Sequence, residues 1–481
     1  MENNKKESSV KQNVINLMQN FSYSLSSNLV SLVISTLVIF VVPKLIGVTA
    51  YGYWQLYLFY SSYIGFLHFG LNDGIYLRYG GEEYKNLNKS VFFSQFYFLF
   101  ISQLAFGLIF YIFSCFFIEN LDRMFVFQML GIQTLFVNTR YMLLYILQST
   151  NRIKEYSFIT ISDRLIYLVV IILIVTNKSA NFRNLILSDL IGKGFSLIYS
   201  MFICRDIISI RSNVFTNVFQ EIKINIKIGI RLMFANIANM FLIGVVRLGI
   251  ERSWNVEVFG QISLTLSISN MFMVFINALG LVVYPMLRRV EIDRLSILYL
   301  NLRDGLMILM LGILVFYIPI KSFMLYWLPQ YSEGLKYMGV LFPIIIFESK
   351  MTLLINSFMK TLRLENHILK INISVLLFSI FLTILTTSVF KNLTGAILSI
   401  TFVIAIRAII AELILTKILN VSVLRDIIIE LILIAVFIVG AWSLENIFAL
   451  IIYLIFYFIY IYNKKSELKN ITLFIYGLVK Q

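Results

Sequence analysis

The chain has 481 residues, 59% of them hydrophobic, 15% aromatic and only 14% charged, with a mean hydropathy of +0.86. A soluble domain averages about 45–50% apolar and about 25% charged residues, so the composition excludes a soluble globular protein and leaves a polytopic membrane protein. The net charge of +15 is spread through short connections with no basic domain or arm, which argues against nucleic acid as a partner and for inner-leaflet contact and topology setting.

Residues 1–20 (MENNKKESSVKQNVINLMQN) are polar and lead into an apolar run of spanning length, so no cleavable signal peptide is expected. A bilayer crossing takes about 20 apolar residues. On that measure fourteen spans follow in chain order: 21–43, 54–77, 91–117, 124–149, 157–176, 185–203, 228–250, 259–287, 296–320, 337–359, 371–390, 394–415, 427–444 and 446–462. Lys and Arg set orientation. One set of connections holds 25 of them and the opposite set 8, which puts both termini in the cytoplasm. Cys115 and Cys204 fall near opposite faces, so no disulfide is expected.

The hydrophilic connection 204–227 follows the sixth span. It divides the chain into an N-terminal lobe, 1–203, a cytoplasmic linker, 204–227, a C-terminal lobe, 228–415, and a closing helix pair with a tail, 416–481. A shift of 208 residues supports two lobes, pairing Asn28 with Asn236, Lys44 with Arg252, Tyr51-Gly52 with Phe259-Gly260, Leu56 with Leu264, Ser61 with Ser269 and Tyr76 with Tyr284. Both copies start on the cytoplasmic side, so the repeat is parallel. The expected fold class is an all-α polytopic bundle of two six-helix lobes plus a C-terminal pair.

Residues three, four and seven apart share a helix face. The first helix offers Ser24, Ser27, Asn28, Ser31 and Ser35; the seventh Asn236 and Asn239, reaching Arg247; the eighth Ser263, Ser267, Asn270 and Asn277; the fourth Gln133, Arg140 and Gln148. Ser and Asn commonly join membrane helices to one another, but a stripe containing Arg also needs a counter-ion, water or a ligand. Seven cations lie inside the spans: Arg140, Arg164, Lys193, Arg231, Arg247, Lys350 and Arg407. Such charges are costly in lipid and face a protein interior or a water path. Several have structural readings. Asp189 precedes Lys193 by four residues, Asp163 neighbours Arg164, Arg231 sits near a helix end where it can snorkel, and Glu412 is placed to offset Arg407. Arg140 has no carboxylate on its own helix and Lys350 only Glu348, facing elsewhere; these two are the leading candidates for a cationic cavity. Pro343 can kink the helix before Lys350. His68 reads first as a buried hydrogen-bonding residue and second as a proton relay.

Enzyme signatures are missing: no HExxH, CxxC, phosphate loop or dinucleotide fingerprint occurs, and His68 and His367 are too far apart for a zinc cluster. No cofactor or metal is expected. A membrane glycosyltransferase or polymerase would want a large acidic loop, which the sequence lacks.

The stretch Gly47-Val48-Thr49-Ala50-Tyr51-Gly52-Tyr53-Trp54-Gln55, with Gly65-Phe66-Leu67-His68-Phe69-Gly70-Leu71-Asn72-Asp73-Gly74-Ile75-Tyr76-Leu77-Arg78-Tyr79-Gly80, resembles the first hairpin of bacterial polysaccharide flippases. These belong to the multidrug/oligosaccharidyl-lipid/polysaccharide exporter superfamily. The resemblance implies a V-shaped bundle like that of multidrug exporters, set in the bacterial cytoplasmic membrane. By alternating access it would flip polyprenyl-pyrophosphate-linked oligosaccharide, with H+ or Na+ as a candidate coupling ion and other polysaccharide-assembly proteins as candidate partners. It also implies a cationic cavity, for which Arg140, Lys350, Arg164, Lys193, Arg231, Arg247 and Arg407 are the candidates. Asn28, Ser31, Asn236, Asn239 and Asn270 would be its polar lining, and His68, Asn72, Asp73 and Arg78 would be gate residues at the cytoplasmic mouth. A drug or cation antiporter of the same fold is the rival; it would favour acidic cavity residues.

Overall fold

The computed structural model describes residues 2–209, 218–273, 276–277, 287, 291–444, 446–465 and 467. The chain divides into two compact units, Met1–Ile237 and Ala238–Gln481. Unit one opens with α1 (Glu2–Ile46) and α2 (Val48–Ile64), then a 3-10 turn (Gly65–His68) and the short α3 (Leu71–Arg78). It continues with α4 (Lys89–Phe117), α5 (Leu121–Ser149), α6 (Ile153–Thr176), α7 (Phe182–Ile203) and the one-turn α8 (Arg205–Ile208). The next helix, α9 (Val218–Ser253), crosses the unit boundary, and α10 (Val256–Asn270) follows. Unit two then builds on the helices Leu295–Ile313, Tyr317–Trp327, Glu365–Thr383, Leu393–Ile418, Leu424–Ser443 and Asn446–Asn463. At its centre runs Met338–Thr361, apolar and buried on nearly every side. Past Pro343 this helix widens into a π-helical turn, Lys350–Ile355.

Among the described residues, nine helices are long and apolar enough to cross a membrane. Four more expected spans exist as helices or helix pairs: α2 with α3, α5, Leu424–Ser443 and Asn446–Asn463. The remaining one, 259–287, lies partly outside the described residues. The expected single span 54–77 is interrupted. Phe69 and Gly70 both take left-handed backbone, φ 51° and 84°, and interrupt the helix between the 3-10 turn and α3. Gly70 supplies the conformation without steric cost.

The repeat is visible in the helix limits. Adding 208 to the start of α2 gives 256, the start of α10, and Tyr51, Leu56, Phe259 and Leu264 are all buried. Residues 218–227, expected within the hydrophilic linker, are instead the first turns of α9. Their polarity is amphipathic: Val218, Ile222 and Asn225 are buried, while Gln220 and Lys223 are exposed. α9 can lie this close to α3 because glycines meet there. A Cβ added at Gly74 would stand 1.9 Å from the Asn225 carbonyl oxygen, and one at Gly229 2.1 Å from that of Gly70.

Candidate functional site

The hairpin motif is built around the break after α2. A broken helix frees carbonyls that must be satisfied inside a bilayer. Asn138 of α5 donates to the Ile64 carbonyl at 3.0 Å and to Gln103 Oε1 at 2.8 Å, and Gln103 of α4 donates to the Leu67 carbonyl at 3.0 Å. Asn72 donates to the Asn138 carbonyl at 3.0 Å. All three side chains are fully buried. His68 is also buried; its Nδ1 accepts from the Gly70 N–H at 2.9 Å, and Nε2 stands 3.7 Å from Asp73. The structural reading of His68 is therefore the one the geometry serves. Arg78 reaches α9, 2.5 Å from Glu221 and 3.3 Å from Asn225 Oδ1. Sequence reasoning missed Gln103, Asn138 and Asn225. Their signal was a polar amide inside an apolar run, which has no partner until the helices are packed.

The cations do not stand without acids. Arg140 is buried on α5, with Nη1 2.6 Å from Asp163 Oδ2 on α6 and 3.1 Å from Ser196 Oγ on α7. Lys193 pairs with Asp189 as the spacing suggested, and Asp189 also accepts from the Tyr57 hydroxyl at 2.7 Å. Lys350 is buried between Glu412 and Glu430, 2.7 Å and 2.8 Å away. Arg407 pairs with Glu348 at 3.1 Å and donates to Asn372 at 3.1 Å. This corrects two expectations. Arg140 and Lys350 have counter-ions, supplied by neighbouring helices rather than their own. Glu412 serves Lys350 and Arg303, while Arg407 is offset by Glu348.

Arg303 and Lys464, both among the 25 cations assigned to the cytoplasmic connections, are likewise buried. Arg303 lies 2.7 Å from Glu412 and 2.8 Å from Glu430; Lys464 lies 3.0 Å from both Asp304 and Asp426. The helices Leu295–Ile313, Leu393–Ile418, Leu424–Ser443 and Asn446–Asn463 bring these groups to one end of unit two, around the start of the π-helical turn.

The polar stripes have a different setting. Asn28, Ser35, Asn236, Asn239, Asn270 and Arg231 are exposed, and Ser31, Arg164 and Arg247 half-buried. Arg247 donates to Ser263 at 2.9 Å and lies over the Phe259 ring at 5.3 Å. On α1 the polar candidates differ in exposure: Asn28 and Ser35 are exposed, Ser24 and Ser31 half-buried. Leu29, Val33, Leu37, Val41 and Leu45 form an exposed apolar stripe. At 3.6 residues per turn, Ser24, Asn28, Ser31 and Ser35 lie on the other side of the helix.

No family model and no curated protein matches the chain by sequence. Solved structures match it by shape. The lipid II flippase MurJ in an inward closed conformation aligns with a TM-score of 0.63 at 14% identity, over 93% of this chain and 99% of its own. An inward-facing multidrug resistance MATE family transporter of the MOP superfamily aligns at 0.61 and 12%, over 82% of this chain and 98% of its own. An outward-facing one aligns at 0.52 and 11%, over 85% and 95%. These likenesses show the expected all-α, MATE-like membrane fold.

Proposed function

We propose that the protein is a membrane transporter that moves polyprenyl-pyrophosphate-linked oligosaccharide from the inner to the outer leaflet of a bacterial cytoplasmic membrane. The observation that carries this reading is the split surface of α1. A leucine–valine stripe suits lipid, whereas a Ser/Asn side with Asn28 and Ser35 exposed and Ser24 and Ser31 half-buried suits a wet path. Its repeat counterpart on α9 carries Asn236 and Asn239 and adds Arg247, three turns beyond Asn236 on the same side. Asn and Ser suit sugar hydroxyls, and a guanidinium suits pyrophosphate. The fold shared with a lipid II flippase supports transport of a lipid-linked headgroup. In this reading Arg140, Lys193, Lys350 and Arg407 act through their ion pairs, holding the helices that carry the path, while Arg164 and Arg231 add positive potential.

Purified protein in lipid nanodiscs provides the test. Arg247→Ala is expected to weaken binding of undecaprenyl-pyrophosphate oligosaccharide about tenfold, the worth of one hydrogen bond to a charged group, and Arg247→Lys less. Undiminished binding by a folded Arg247→Ala protein would remove Arg247 from the path. Binding of cationic dyes with indifference to the pyrophosphate lipid would favour the drug or cation antiporter instead.

A further inference from the structure

The charged end of unit two has a composition that ion pairing alone does not balance. Among the described residues, Arg303, Lys350 and Lys464 face Asp304, Glu412, Asp426 and Glu430, three cations against four carboxylates. An uncompensated charge in so buried a cluster is strongly unfavourable unless a cation or a proton joins it.

The two glutamates are unequally served. Glu412 accepts from Arg303 Nε at 2.7 Å and Tyr299 at 3.3 Å on Oε1, and from Lys350 at 2.7 Å on Oε2. Glu430 accepts from Lys350 on Oε2 at 2.8 Å. Its Oε1, although 2.8 Å from Arg303 Nη2, is misaligned for a hydrogen bond and has no other donor among the described residues. The Tyr460 hydroxyl, buried and within the field of Glu430, Arg303, Asp304 and Asp426, also lacks a hydrogen-bond partner among them. A cavity of about 10 Å³ lies against Lys350, Glu412 and Glu430. That is room for about one water, not for a hydrated alkali ion.

We propose that Glu430 binds one exchangeable proton on Oε1, which leaves three cations against three carboxylates. The carboxylic acid so formed gains an O–H donor, and the cavity beside it has room for a water to accept from it. Asp426, one turn earlier on the same helix with 23% of its side chain exposed, is the entrance from solvent. Losing the proton returns a net negative charge to the shell around Lys350, the first residue of the π-helical turn. The coupling of this proton to transport rests on the reading above; the proton itself does not.

Infrared difference spectroscopy between acidic and alkaline buffer, on purified protein in nanodiscs without substrate, reads the proton directly. We expect a protonated-carboxyl band that shifts with isotope-labelled glutamate, stays put with labelled aspartate and disappears in Glu430→Gln, an isostere of the neutral acid. Asp426→Asn removes one of the four carboxylates and balances the three cations without a proton, so the band should shrink in that variant. If Glu430→Gln fails to fold, the labelled wild-type spectra decide. No carboxyl band, a band that follows labelled aspartate, or a band that persists in folded Glu430→Gln overturns the proposal. A Glu430 band in a protein that ignores pyrophosphate lipids would leave the proton in place and sink the transport reading instead.

Discussion

Arg140 and Glu348 stand at the same place in the 208-residue repeat and carry opposite charge. Around them the rest of the node is exchanged as well. Arg140 meets Asp163 and Ser196 in unit one, whereas Glu348 meets Arg407, which also holds Asn372, in unit two. Each set joins three consecutive helices of its unit. Two copies of one scaffold thus fasten the same helices with the polarity reversed, as expected if the position needs a satisfied polar contact rather than a particular sign.

Arg140→Ala should therefore act on folding. It leaves Asp163 buried without its cation, a change that costs about 3–5 kcal/mol. Folded yield and thermal midpoint in detergent should both fall, and Arg140→Ala with Asp163→Ala should recover much of the loss, the non-additivity expected of partners. A single variant with normal yield and no export would place Arg140 on the substrate instead.

Glu348→Ala should be milder. Glu348 keeps 18% of its side chain exposed, and Arg407 retains the Asn372 amide oxygen. A thermal midpoint that drops as far as that of Arg140→Ala would show that Arg407 depends fully on Glu348 despite its exposure and the Asn372 contact.

Gly74→Ala and Gly47→Ala separate contact from conformation. Gly47 has φ 77° with open space around it, so alanine there should cost only the backbone strain of about 1–3 kcal/mol. At Gly74 the new methyl would lie 1.9 Å from a backbone oxygen, so α3 and α9 must part. Thermal unfolding should rank Gly74→Ala as the more damaging, and protease cleavage near residue 225 should rise only there.

Reporter fusions test orientation. From the Lys and Arg bias, a fusion after residue 465 should report cytoplasm and one near Lys178 the opposite side. Equal signals would break the alternation of spans on which the orientation rests.

Span positions could be read from the sequence because each long apolar run must satisfy its own backbone, a local requirement that α1, α4, α6 and α7 all show. The 208-residue shift shows in the sequence through Gly52 and Gly260, whose neighbours Tyr51 and Phe259 are both buried. Partners of the buried charges could not be read in this way. Arg140 lies 23 residues from Asp163 and Lys350 80 residues from Glu430, separations at which no helical periodicity links them. The interruption at Phe69-Gly70 was hidden for a related reason. Its glycines were in view, but the amides that make a break tolerable, Gln103 and Asn138, come from other helices.

The passage of α9 through the unit boundary bears on biogenesis. Val218, Ile222 and Asn225 are part of the packing of unit one, yet they open the helix that continues into unit two. A ribosome that has delivered only the first six spans has made a bundle with an unfilled groove along α3. The nascent first half must wait for the next helix to emerge before it is complete, so maturation of the two halves overlaps in time rather than following half by half.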